Sequence, residues 1–256
     1  MRNQNTKTDP DTDIGGAGRN FPQTSRSAII GARSDDPQLR QRAFAAILDS
    51  YWKPVYKYIR IKWNADNEDA KDLTQAFFSS ALEKNYFADY DFAKARFQTF
   101  LRTCVDRYVA NQRKAEHRLK RGGGLDHVSL DFGHAEIELA QHPPAPDLSP
   151  EQYFEREWTR NLFTLAVEAL HTKCAASGNS TRFLLFEKYE LEDSVNTVSY
   201  DSLARDFGLT TATVTNHLAA ARREFRKILL TKLRDATFSD EEFRNQARQL
   251  LGIEVK

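Results

Sequence analysis

The chain has few cysteines and nothing to pair them. Its 256 residues include two, Cys104 and Cys174, in no CxxC arrangement and with no paired spacing, so neither a disulfide framework nor a cysteine zinc site is expected. A long apolar run is also missing: no stretch approaches the ~18 residues of a membrane span, and the leader MRNQNTKTDPDTDIGGAGRNFPQTSRS carries no apolar segment of signal-peptide type. No membrane insertion is expected, and a cytoplasmic location is. Strand-type alternation is absent as well, which leaves an all-α class. GGAG and RGGG are not followed by Lys-Ser or Lys-Thr, so a phosphate loop has no support, and the DFG at 206–208 has no HRD motif to accompany it. His117, His127, His134 and His142 lie largely in a Gly- and Pro-broken stretch without helix-fixed spacing. No metal site, no cofactor and no catalytic residue is therefore expected.

A net charge of +1 argues against a polyanionic partner only on average. Between Arg96 and Arg121 eight cations face two acids, Asp106 and Glu116. From Gly122 to Glu157 the sign reverses, with eight acids against the single cation Arg156. From Asp201 to Arg234 seven cations face three acids. Two basic stretches therefore flank an acidic one, a pattern suited to a phosphate-bearing partner.

Helical spacing runs through most of the chain. Phe44, Ile47, Leu48, Tyr51, Trp52, Val55, Tyr58 and Ile59 form one stripe, with Pro54 expected to kink the helix or mark a restart. A second helix over ADNEDAKDLTQAFFSSALEKNYF is expected to bury Leu73, Phe77, Phe78, Ala81 and Leu82, and a third to bury Phe97, Phe100, Leu101, Cys104, Val105 and Tyr108. Residues 1–26 read as a disordered tail. Residues 122–150, broken by GGG and by four prolines in QHPPAPDLSP, read as an irregular linker. Residues 27–121 and 151–232 then form two small helical domains. In the extension 233–256, a Ser239/Glu242 capping box precedes a short amphipathic helix that is expected to buttress the second domain.

The segment SYDSLARDFGLTTATVTNHLAAARREF fits a helix-turn-helix. Leu203, Ala204 and Phe207 form the inner face of a first helix, Gly208 supplies a left-handed turn, and Val214 and Leu218 anchor the second. That arrangement directs Thr211, Thr213, Thr215, Asn216, His217 and Ala219 outward on the N-terminal half, which in this motif lies nearest the base edges. Arg222, Arg223 and Arg226 follow as phosphate-holding cations.

The order of NEDAKDLTQAFFSSALEKNYF, then ARFQTFLRTCVDRYVANQRKAEHR, then a linker and a late helix-turn-helix resembles the bacterial sigma-70 family, in its compact extracytoplasmic-function type. The resemblance covers residues of about 27 to 232 and implies a specificity factor that directs core RNA polymerase to promoters and helps melt them. It implies that 27–121 is region two, with Asp69, Asp72, Leu73 and Gln75 docking on core polymerase. It further implies that Asp91, Arg96, Phe97, Gln98, Phe100, Arg102, Asn111 and Arg113 meet the −10 element, and that 151–232 is region four, which reads the −35 element. The acidic linker would occupy polymerase channels that otherwise hold nucleic acid. An anti-sigma factor is a further partner of the kind such proteins have. The competing reading is a stand-alone helix-turn-helix regulator of duplex DNA.

Overall fold

A computed structural model of the chain describes residues 36–91, 93–116, 130–192, 198–237 and 239–253. The expected disordered tail, together with His117 and His127, lies outside the described residues. Among the described residues the fold is all-α, with nine α-helices and no strand. These are α1 Pro37–Lys62, α2 Asn67–Glu83, α3 Phe97–Glu116, α4 Phe132–Gln141, α5 Pro150–Ala176, α6 Ser180–Phe186, α7 Tyr200–Phe207, α8 Thr211–Asp235 and α9 Asp240–Leu251. They divide into two compact units. One holds the described part of Gln23–Leu162 together with Arg234–Phe243, and the other holds Phe163–Leu233 with the described part of Arg244–Lys256.

In the first unit, Asp36 caps α1 by accepting from the Gln38 backbone N–H at 2.9 Å, with Pro37 following at the helix start. The whole expected stripe of α1 is buried. Pro54 neither ends the helix nor restarts it. A proline removes the N–H that the carbonyl four residues earlier requires, and here the buried Asn161 on α5 replaces it: its Nδ2 donates to Ser50 O at 3.1 Å and to Asp49 O at 2.9 Å. Asn161→Ala would leave both carbonyls in the interior without this donor, and should cost about 1–3 kcal/mol. Urea unfolding of the variant against the parent chain measures that loss, and an unchanged midpoint would show that the carbonyls find other donors.

The buried face of α2 is Ala70, Thr74, Phe77, Phe78 and Ala81. Leu82, expected in the core, is instead 42% exposed, and Leu73 is only half-buried. Both sit one turn beyond the edges of the Phe77/Phe78 stripe, where a helix face turns away from its neighbour. The heart of α3 is Phe97, Leu101, Val105 and Val109, all fully buried. Phe97 lies edge-on to Tyr51, Phe87 and Tyr90, with ring centroids 5.3, 5.4 and 5.5 Å away. Phe100, Cys104 and Tyr108 run beside that row, half-buried.

The largest departure concerns the acidic stretch. Residues 132–141, expected to be irregular, form α4, capped by Asp131, whose carboxylate accepts from the His134 N–H at 3.0 Å. Phe132 packs against Trp52 and Tyr56 of α1, at 5.4 and 5.1 Å between centroids. The acids of this stretch meet the cations of α1. Glu136 takes Arg60 at 2.8 Å, and Glu138 takes Lys53 and Lys57 at 2.8 Å each. The Arg60 guanidinium holds the Glu136 carboxyl below its ordinary value. Burial works to raise Glu138, but Lys53 and Lys57 outweigh it and hold this carboxyl low as well. A Ser149/Gln152 capping box then starts α5, with reciprocal bonds of 3.0 and 3.2 Å. Tyr153, Phe154 and Trp158 of α5 add their rings to the core around Tyr51 and Tyr58. This unit also takes in the end of α8 and the start of α9, where the buried Tyr51 hydroxyl donates to Ala236 O at 3.0 Å. Ser239 caps α9 as expected, accepting from Glu242 N–H at 3.0 Å. Of the extension expected to buttress the second domain, Arg234–Phe243 groups with the first unit and the described part of Arg244–Lys256 with the second.

Candidate nucleic-acid interface

The second unit is built around a cluster of Leu185, Leu203, Ala204, Val214 and Leu218, with Tyr189, Val198, Tyr200, Phe207 and Leu209 packed against it. The Ser199 hydroxyl accepts from Ser202 N–H at 3.1 Å and starts α7. Gly208 ends it at φ 64°, ψ 34°, and Leu209 N–H returns to Ala204 O at 2.8 Å. A Cβ at position 208 would meet nothing within 4 Å, so glycine is required there by backbone conformation rather than by space. The result is two helices, α7 and α8, joined by a tight left-handed turn at Gly208.

The threonines at the start of α8 have local partners. Thr210 caps the helix, its hydroxyl accepting from Thr213 N–H at 3.1 Å and lying 2.8 Å from the Thr213 hydroxyl. Thr211 donates to Asp201 Oδ1 at 2.9 Å and ties the two helices together. Thr215 donates to the Thr211 carbonyl at 2.9 Å. The hydroxyls are thus engaged locally, as a cap at Thr210, a tie to α7 at Thr211 and a bond one turn back at Thr215. Asn216 is exposed, Thr211 is exposed, and Thr213, Thr215, His217 and Ala219 are half-buried.

The three arginines separate. Arg222, expected to hold a phosphate, is 6% exposed. Its guanidinium meets Glu190 at 2.6 and 2.7 Å and the Tyr200 hydroxyl at 3.1 Å, and lies over the Tyr189 ring at 5.4 Å. Glu190 is delivered by a π turn, Glu187–Leu191, that continues α6. Burial opposes the Arg222 charge, and Tyr200 and Glu190 more than restore it. The next residue, Arg223, is exposed, and Arg226 is half-buried.

In the first unit a groove of 270 Å³ is lined by Tyr86, Asp89, Phe100, Cys104, Arg107, Tyr108 and Asn111. Of the residues expected at a −10 element it brings together Phe100 and Asn111. Phe97 and Gln98 are instead buried, the first as part of the aromatic core. Arg102 lies over the Phe154 ring at 5.6 Å and 3.4 Å from Glu155. Arg113 lies over Trp63 at 5.2 Å and donates to the Trp63 carbonyl. Asp91 accepts from Ala93 N–H at 3.0 Å, and Arg96 is exposed. Tyr86, Asp89 and Arg107 have no place among the expected site residues, and Tyr108 is expected in the core rather than on a groove wall. The signal that finds three of the wall residues is the row 100, 104, 108 on α3, one turn apart and beside the buried row. Burial pushes the Cys104 thiol up to about 11, so it is a wall of the groove and not a thiolate.

On α2, Asp69 and Asp72 are exposed and Leu73 and Gln75 half-buried. Among the described residues no three His, Cys, Asp or Glu side chains converge as metal ligands, and no helix is long and apolar enough to cross a membrane. In comparisons with known proteins, no family model, no curated protein and no solved structure matches the chain.

Proposed function

We propose that the chain is a sigma-type specificity factor, which brings core RNA polymerase to promoters and assists their melting without catalysing a reaction itself. The observation that carries the reading is the α7–α8 corner, whose turn is fixed by Gly208 and whose second helix presents its N-terminal half to solvent, which supports a helix-turn-helix that enters DNA. A stand-alone regulator of duplex DNA would need no more than that. The groove in the first unit favours the fuller reading, because Tyr86, Phe100 and Tyr108 offer rings on which an unpaired base stacks, and Arg107 and Asn111 offer donors beside them. In this proposal the second unit reads the −35 element in the cytoplasm, the groove takes part of the opened −10 strand, and the outer face of α2 with Asp69, Asp72, Leu73 and Gln75 docks on polymerase. An anti-sigma protein would compete for one of these surfaces.

Run-off transcription with purified core enzyme over a genomic promoter library tests it, and the absence of any promoter-dependent transcript would sink the idea. An Asp72→Ala, Gln75→Ala double substitution should weaken core binding about ten-fold, as loss of an interface anchor does, while duplex binding stays unchanged. Tight operator binding that polymerase does not alter would favour the stand-alone regulator.

A further inference from the structure

The buried residues of α8 fix which of its side chains can enter a groove. Val214, Leu218, Ala221, Arg222 and Phe225 face the interior. At about 100° per residue, the direction opposite them belongs to Ala212, Thr213, Asn216, Ala219, Ala220, Arg223 and Lys227. Thr215 and His217 lie on the two flanks, about 100° to either side of Asn216. The outward stripe of the base-reading half is therefore three alanines and two polar side chains, Thr213 and Asn216, and the Thr213 hydroxyl is already engaged with that of Thr210 at 2.8 Å. Alanine stubs allow the backbone to approach closely, and they offer methyl groups. Asn216 is exposed and has no hydrogen-bond partner among the described residues, whereas Thr211 and Thr215 already donate their hydroxyl protons to Asp201 and to the Thr211 carbonyl. No Arg or Lys occurs from Thr211 to Ala221.

We infer that Asn216 is the specificity-determining residue of this helix and that it reads an adenine, within a duplex element made of A·T pairs and without a guanine contact from the base-reading half. The carboxamide matches the adenine N6/N7 edge bidentately, the alanine methyls match thymine C5-methyl groups, and the commonest guanine contact needs the Arg or Lys that this stretch lacks. Arg223 and Lys227, about two and three turns beyond Asn216 on the same stripe, reach the backbone rather than the bases. The inference rests on the proposed function only in requiring that α8 enter duplex DNA.

Selection of duplexes from a randomised pool by the full chain with core polymerase tests it. An A·T motif is expected, with an adenine preference at one position that falls about ten-fold in Asn216→Ala while preferences elsewhere persist. Asn216 is exposed and alanine is the better helix former, so the variant keeps its fold, which far-UV circular dichroism verifies. Selection of a guanine-centred motif, or an adenine preference that survives Asn216→Ala, overturns the inference and leaves the promoter reading standing. Failure to select any duplex overturns both.

Discussion

Replacing Lys57 with methionine should destabilise the first unit by about 3–5 kcal/mol, the cost of removing one partner from a buried ion pair. The side chains of Lys57 and Glu157 are 2% and 1% exposed, and the ammonium lies 2.6 Å from the Glu157 carboxylate and 2.8 Å from that of Glu138. Methionine fills much of the same space but leaves the Glu157 charge in the interior, held by Arg160 and more distantly by Arg156. Glu138 keeps Lys53 and is less affected. The three tryptophans, Trp52, Trp63 and Trp158, all belong to this unit, so intrinsic fluorescence during urea unfolding follows it without a contribution from the other. A Lys57→Met, Glu157→Leu double variant should recover most of the loss, because an apolar pair of similar volume removes the uncompensated charge. A single variant as stable as the parent would show that the pair is hydrated in solution.

This ion pair marks where sequence reasoning stops. Lysine is almost never fully buried, and Lys57 lies on the face of α1 opposite its apolar stripe, where neighbouring residues give no reason for burial. Its burial depends on Glu138 and Glu157, 81 and 100 residues away. The acidic stretch fails for the same reason: glycines, prolines and unpaired acids look like linker until the cations of α1 are placed beneath them. Pro54 reads as a kink or a restart because its remedy, Asn161, lies more than 100 residues on. What was legible is what neighbouring residues decide among themselves. The α1 stripe, the all-helical class, the Ser239 cap, the left-handed Gly208 and the Leu203, Ala204, Val214 and Leu218 core all follow from spacing and local chemistry. The groove was half legible: Phe100 and Asn111 share a helix, but Tyr86 and Asp89 reach it from the 3-10 turn Tyr86–Asp89.

The arginines of α8 show the same limit at a single step of the chain, and their separation has a measurable consequence. One residue is about 100° of rotation, so Arg222 and Arg223, equivalent in composition, have opposite roles. Arg222→Met should destabilise the second unit by about 3 kcal/mol, the lower end for a broken pair, since its partner Glu190 keeps 17% exposure. It should also loosen α8 against α7, because Tyr200 at the start of α7 loses the guanidinium it accepts from. Arg223→Ala should change stability by no more than about 1 kcal/mol, the range of an exposed charge interaction, yet lower the slope of log binding constant against log salt by about one, the signature of a lost phosphate contact. Hydrogen exchange at the α7 and α8 amides reports the first effect, and filter binding to duplex DNA across a salt series reports the second. The reverse pattern, with a shallower salt slope in Arg222→Met and faster exchange in Arg223→Ala, would mean that α8 is rotated by one residue from the register described, and would move Asn216 off the outward stripe with it.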